Sequence, residues 1–366
     1  MRLYLLAAAF LFFAKNMVSA QDSTSASTLK IGQWEQHLPW QRSIWVTQSA
    51  EKVWFATEWA LLELQKSDRA PRYITRTDGL SETGMGPIKY DATSGTLIVT
   101  YFNSNIDLLK DGLVTNIPFI KTNVSILGDK KIYDIFVENG AAWFCCGFGM
   151  AKFSLDAQEF EFTTFTGLPV WGMASLGDYL YAATDDGIYR AEKKGTNLAD
   201  FSTWQLLGPA EGLPADFSSK VVHNFGGKLV FDINGKKLVA LDPGQPPVDF
   251  YQIDPSFSPK FLTSEGPGLL CGLACAGTNC GSAPLLRFTD LSAAPQVFTQ
   301  QVSFPLQSVE DEKGQIWHSD AYDGLRLLHV DGGWGENFSF NSPFRQASDS
   351  RQAACVKVRR RPLMSM

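Results

Sequence analysis

The sequence predicts an all-β fold, a seven-bladed β-propeller of four-stranded antiparallel blades. Three observations carry that prediction. A β-hairpin phrase recurs along the chain, its copies stand roughly 40–50 residues apart, and a Gly-Leu-Ser/Pro phrase recurs between copies. The clearest hairpin spans residues 311–328 (DEKGQIWHSDAYDGLRLL), two short apolar strands separated by an Asp-Gly turn. Turns of this kind need residues that tolerate positive φ, which Gly does and Asp tolerates better than most.

The other copies occupy residues 51–64, 96–109, 141–153, 179–191, 228–241 and, more loosely, 269–288. Aligned on one apolar residue of the first strand of each hairpin, the anchors are Trp54, Ile98, Trp143, Tyr181, Val230, Leu270 and Trp317. Gly79-Leu80-Ser81, Gly167-Leu168-Pro169 and Gly212-Leu213-Pro214 follow apolar runs, where an outer strand would pass to the next inner one. A single blade cannot cover its two apolar faces. Neighbours therefore stack, and closing the ring protects the sheet edges.

The chain has 366 residues, of which 45% are hydrophobic and 13% aromatic, enough for a large core. A net charge of −6 excludes a basic nucleic-acid face as the default, and no partner of that class is expected. Residues 1–20 read as a secretory signal: Arg2, an apolar run, then Val18-Ser19-Ala20 as a small-residue cleavage site. No other apolar run reaches the ~20 residues of a membrane helix. The expected product is exported and soluble, or held to the periplasmic or outer-membrane surface by partners.

Residues 21–30 read as a flexible terminus and residues 31–344 as the propeller. Outer-type strands are expected both before the first hairpin, at 29–40, and after the last, at 333–344. One of them completes the ring and the other is spare. Residues 345–366 drop the alternation and gain Arg359-Arg360-Arg361, and read as an irregular basic tail from truncation or a frame shift.

Six cysteines are present: Cys145, Cys146, Cys271, Cys275, Cys280 and Cys355. Cys275 and Cys280 flank a short turn that a disulfide would bridge. A metal site is disfavoured, because no fourth ligand lies near Cys271, Cys275 and Cys280. Cys145 and Cys146 are neighbours on one strand, so they point to opposite faces.

The search for chemistry finds little. None of the four histidines forms His-Glu-x-x-His, and no Gly-x-Ser-x-Gly elbow or phosphate-binding Gly-Lys loop occurs. His318, beside Trp317 on a blade strand, reads as structural. Asp185-Asp186-Gly187 and the acids of residues 320–323 read as turn chemistry. No catalytic residue, metal or cofactor is expected. Binding is expected at Trp59 and Trp171, two tryptophans close to turns, and at Phe148 in Cys146-Gly147-Phe148-Gly149. That last phrase also reads as a Gly-rich hairpin with a buried Phe.

Residues 311–317 with Asp323-Gly324-Leu325 and the Gly-Leu linkers resemble the two-component-regulator propeller repeat. More narrowly, residues 34–216 resemble the N-terminal propeller of PorZ-type proteins of the type IX secretion system. The matching phrases are Trp34-Glu35-Gln36-His37-Leu38, Asp78-Gly79-Leu80-Ser81, Asn105-Ile106-Asp107-Leu108 and Cys146-Gly147-Phe148-Gly149. The resemblance implies a non-catalytic component of a surface attachment complex. It would act with a sortase-like peptidase and outer-membrane partners, and recognise anionic lipopolysaccharide or another glycan. Such proteins carry a second propeller and a C-terminal sandwich, neither of which is expected within these 366 residues. The alternative is the periplasmic sensor propeller of a two-component regulator that binds an oligosaccharide. A propeller lyase or quinoprotein would need ionisable residues converging at the ring centre, which the repeat turns do not suggest.

Overall fold

A computed structural model describes residues 38–277, 280–331 and 335–338. It shows seven four-stranded antiparallel sheets, each with its strands in sequence order. Blade 1 runs from Ser43–Gln48 to Pro71–Ile74, blade 2 from Met85–Asp91 to Leu113–Ile117, and blade 3 from Ile132–Glu138 to Glu159–Phe165. Blade 4 runs from Val170–Leu176 to Gln205–Leu206, and blade 5 from Val222–Phe225 to Val248–Gln252. Blade 6 runs from Phe257–Thr263 to Gln296–Phe298, and blade 7 from Pro305–Glu310 to Glu336–Asn337.

Every anchor residue lies on the second strand of its blade. These strands are covered by a neighbouring blade on each side, so both alternating faces are buried. Thr96–Tyr101 and Ile316–Asp320 are buried at every position. Outer strands splay away as the sheet twists, and Val248–Gln252 has no buried residue. The core is accordingly not one mass but seven wedges, one between each pair of adjoining blades.

The Gly-Leu linkers hold the blades in place. Arg76–Asp78 form one 3₁₀ turn, closed by Thr75 N–H donating to Asp78 Oδ2 at 2.9 Å, and Gly79 takes φ 110°. Leu80 then drops into the wedge between blades 1 and 2. Ser81 donates from its N–H and its hydroxyl to buried Asp107, both at 2.7 Å, and Tyr101 donates to the same carboxylate at 2.6 Å. The phrases Asp78-Gly79-Leu80-Ser81 and Asn105-Ile106-Asp107-Leu108 are thus one hydrogen-bonded unit. Pro209–Glu211, Gly212 and Leu213 repeat the arrangement between blades 4 and 5.

Among the described residues the ring closes without a strand borrowed from the N-terminal side. The fourth strand of blade 7 is Glu336–Asn337, so the later of the two spare strands completes its blade. Residues 38–42 form no strand, and the remainder of the one expected at 29–40 lies outside the described residues. Trp40 instead packs into the wedge between blades 7 and 1, with Phe55, Val309 and Trp317. Ser319 Oγ donates to Ser43 Oγ at 2.6 Å, and Gln48 Nε2 to the Glu310 carbonyl at 2.7 Å. The expected signal segment and the basic tail lie outside the described residues.

Cys275 and Cys280 form a disulfide with Cα atoms 5.8 Å apart, a usual separation. Cys145, Cys146 and Cys271 are buried free thiols, and burial pushes each of them up in pKa.

Candidate binding face of the ring

Turns between second and third strands lie on the same face as the linkers between blades. On this face the innermost strands share an irregularity. In blades 1, 2, 3, 4, 6 and 7 the pairing of first and second strands slips, leaving Ile44, Gly86-Pro87, Tyr133, Trp171, Lys260 and Leu306 outside the ladder. In blade 5 Lys220 takes this place, where it and Val221 donate their N–H groups to Asp232 Oδ1 at 2.6 and 3.0 Å. A bulge re-aims the extra residue and bends its strand, and here seven such positions surround one mouth of the central channel.

The members on blades 3, 4 and 5 touch in succession. The Tyr133 and Trp171 rings lie 4.4 Å apart, and Lys220 Nζ stands 4.2 Å from the Trp171 ring centroid. Trp171 Nε1 donates to Asp185 Oδ1 at 2.8 Å. Trp171, expected as a stacking surface, is thus engaged by protein through its ring and its N–H, and it positions Lys220. Tyr133 donates to Asp129 Oδ2 at 2.7 Å. Gly147 makes this possible, since a Cβ there would sit 2.6 Å from that same oxygen. Gly149 is required too: its φ is 134°, and a Cβ would lie 2.2 Å from the Thr164 carbonyl. Phe148 between them is only 5% exposed and belongs to the wedge between blades 2 and 3. It supports the turn from within. Trp59 lies in the blade 1 turn at 41% exposure, on the same face as the mouth, with Phe102 and Tyr322 exposed in the corresponding turns of blades 2 and 7.

Blades 5, 6 and 3 contribute cations. Burial lowers the pKa of Lys260, and the charges of Lys131 and Lys220 lower it further.

The opposite end of the channel is barred. The turn after the first strand of blade 6, residues 264–268, folds across the axis. Ser264 N–H donates to His223 Nε2 at 3.1 Å, and Glu265 forms an ion pair with Lys89. Lys89 belongs to blade 2 and Glu265 to blade 6, so their bond spans the ring. Burial alone would lower the Lys89 pKa, but Glu265 and Asp134 outweigh it and raise the value. Burial raises Asp134, partly offset by the Ile135 N–H and Lys89.

Burial, helped by the Lys89 charge, pulls His223 down to about 4. The folded chain thus holds a neutral imidazole that accepts from Ser264. Below about pH 6.5 the unfolded chain takes up a proton that the folded chain refuses until about pH 4, so stability falls with pH across this window. The expected loss is on the order of 2–3 kcal/mol, discounted for the half-buried ring. His223→Gln keeps an acceptor for Ser264. It should remove this part of the slope in urea titrations at successive pH values, while any contribution from Asp134, of opposite sign, remains.

Among the described residues a Ser–His–Asp contact lies in blade 7, closed off from solvent. Ser308 Oγ lies 2.8 Å from His318 Nδ1, and His318 Nε2 lies 3.2 Å from Asp320 Oδ2, with all three residues fully buried. Burial would raise Asp320, but His318 and the N–H groups of Tyr322 and Asp323 hold it well below the usual carboxylate range. The same carboxylate accepts from the N–H groups of Ser303 and Phe304, both at 2.9 Å, and ties the linker to blade 7. No cluster of His, Cys, Asp and Glu able to hold a metal is found among the described residues.

Sequence reading missed Lys220, Lys260 and the axial cluster. One signal was present: Pro87, Pro259 and Pro305 stand in innermost strands, each beside a slipped register, and proline is confined to such places.

Residues 53–205 match the family model of the N-terminal β-propeller domain of PorZ, of the type IX secretion system. A search of curated proteins finds no match. Among solved structures, the fold resembles PorZ of Porphyromonas gingivalis, described as a bacterial surface component of that system. That likeness has a TM-score of 0.70 and 19% identity, and covers 84% of this chain and 39% of that one. It also resembles YCF48 bound to D1 peptide, with a TM-score of 0.55 and 14% identity, covering 82% of this chain and 98% of that one. Virginiamycin B lyase from Staphylococcus aureus is similar with a TM-score of 0.58 and 17% identity, covering 80% and 97%. At these identities the likenesses establish the propeller fold. The family match over residues 53–205, set in a ring that shares its fold with PorZ, supports recognition of this chain as PorZ-type.

Proposed function

We propose that this ring is a non-catalytic binding and assembly module of the cell envelope, a PorZ-like component of the type IX secretion attachment complex. It recognises anionic lipopolysaccharide and presents it to a sortase-like partner. The observation that carries the reading is the lysine-bearing mouth on the linker face, in a ring whose family match is to the PorZ propeller. A mouth lined by cations attracts anionic ligands and raises their local concentration. The exposed Trp59, Phe102 and Tyr322 on the same face offer apolar contacts of the kind enriched at protein interfaces. No helix among the described residues is long and apolar enough to cross a membrane, so attachment through partners suits the chain.

The test is affinity capture from envelope extracts with the exported protein as bait, with and without added lipopolysaccharide. Co-capture of a sortase-like peptidase, strengthened by lipopolysaccharide, is the expected result. Capture of neither, together with tight binding of a neutral oligosaccharide, would favour the sensor reading.

A further inference from the structure

We propose that the channel mouth is a receptor for one terminal phosphoryl group, held by Lys131, Lys220 and Lys260 and admitted only from the linker face. This deepens the function proposed above by naming the group that is bound, and it rests on that reading only for the choice of face. The bulge position places Lys220 and Lys260 side by side on blades 5 and 6, where other blades carry Ile44, Gly86, Tyr133, Trp171 and Leu306. Lys131 comes from the linker to blade 3.

The nearby carboxylates are already engaged. Asp129 accepts from the Lys131 N–H at 2.9 Å and from the Tyr133 hydroxyl, and Asp185 accepts from Trp171. Asp185 lies 3.9 Å from Lys220, both side chains being about half exposed. Such a contact is weak. Lys260 has no ion-pair partner among the described residues, while Lys131 and Lys220 both act on it as like charges. A compact anion bearing more than one charge relieves that repulsion at three ammonium groups together. Lysine serves phosphate as a point charge, without the planar fork that suits carboxylate.

The far end explains why the group must be terminal. The turn at 264–268 and the Lys89–Glu265 ion pair bar the axis, so a polymer cannot thread the ring. The ligand therefore presents an end.

The experiment is calorimetric titration of the whole exported chain at fixed ionic strength with four probes: inorganic phosphate, glucose 6-phosphate, methyl glucoside and purified lipopolysaccharide. Phosphate and glucose 6-phosphate should bind and methyl glucoside should not. Lys260→Ala and Lys220→Ala should each weaken the phosphate probes at least tenfold, while Lys194→Ala, on the opposite face, should change nothing. Lys220 stands against Trp171, so Trp171 emission should shift on phosphate addition and the shift should vanish in Lys220→Ala. Thermal melts matching the parent protein exclude misfolding as the cause. Phosphate binding unchanged in the lysine variants, or absent from the parent, would overturn the proposal. If sugar phosphate binds at the mouth and lipopolysaccharide does not, the receptor stands and the lipopolysaccharide reading falls. If lipopolysaccharide binds equally well to the lysine variants, the receptor falls and that reading stands.

Discussion

Arg287→Met should destabilise the ring by about 3–5 kcal/mol, the usual cost of leaving a buried charge without its partner. Glu310 is 0% exposed, and Arg287 grips it with Nε–Oε2 at 3.0 Å and Nη2–Oε1 at 2.6 Å. The same carboxylate accepts from Gly268 N–H at 3.1 Å, at the base of the turn that bars the channel. The Glu310 carbonyl meanwhile accepts from Gln48 of blade 1. One glutamate thus joins blades 6, 7 and 1 to the axial turn. Removing its carboxylate as well should recover part of the loss. The double variant Arg287→Met/Glu310→Leu is expected to unfold at higher urea than Arg287→Met alone, because the desolvated charge has gone. Equal midpoints for the two would show that the charge itself is not what the arginine compensates.

Trp317→Ala should cost a similar ~3–5 kcal/mol. Trp317 is 0% exposed and fills the wedge where the ring closes. It meets Phe55 edge-on with centroids 6.4 Å apart and lies under the Arg69 guanidinium at 4.7 Å. Its Nε1 donates to Asp311 Oδ2 at 3.2 Å. Sharing a strand between first and last blades would hold the seam by backbone hydrogen bonds. Among the described residues side chains hold it, so a cavity in this wedge weakens closure directly. Hydrogen exchange should show protection lost first in blades 1 and 7, with blades 3 to 5 following only on global unfolding. Uniform loss of protection would mean that the seam is no weaker than the other wedges. Trp171→Ala, in the solvent-reached mouth, should cost about 1 kcal/mol or less.

Much of the architecture was legible in local patterns. The seven anchors stand on second strands because only those strands are sandwiched on both sides, which forces an apolar residue at the same place in every repeat. His318, read as structural, sits fully buried in the strand that also carries Trp317. The phrase Cys146-Gly147-Phe148-Gly149 read as a Gly-rich hairpin with a buried Phe, and its glycines make room for Asp129 and the Thr164 carbonyl. Their significance was less visible, because Asp129 acts through Tyr133 at a mouth that no single repeat contains.

The candidate binding face was barely legible. Trp59 and Trp171 were singled out by their nearness to turns and Phe148 by its flanking glycines; Trp59 is exposed and Phe148 is buried. Lys220 and Lys260 carry no local signature beyond a neighbouring proline in one case. Each looks like an ordinary surface lysine within its own hairpin.

The sequence by itself determined that seven thin antiparallel units recur, which strand of each is buried, and where the linkers turn. Those properties depend on residues within one repeat, and alternation and turn chemistry report them directly. Only the tertiary structure decided which side chains meet. Lys89 and Glu265 are brought together from distant repeats because the number of blades and their twist fix who faces whom across the axis. The mouth arises the same way, from bulges whose extra residues converge only once the ring has closed.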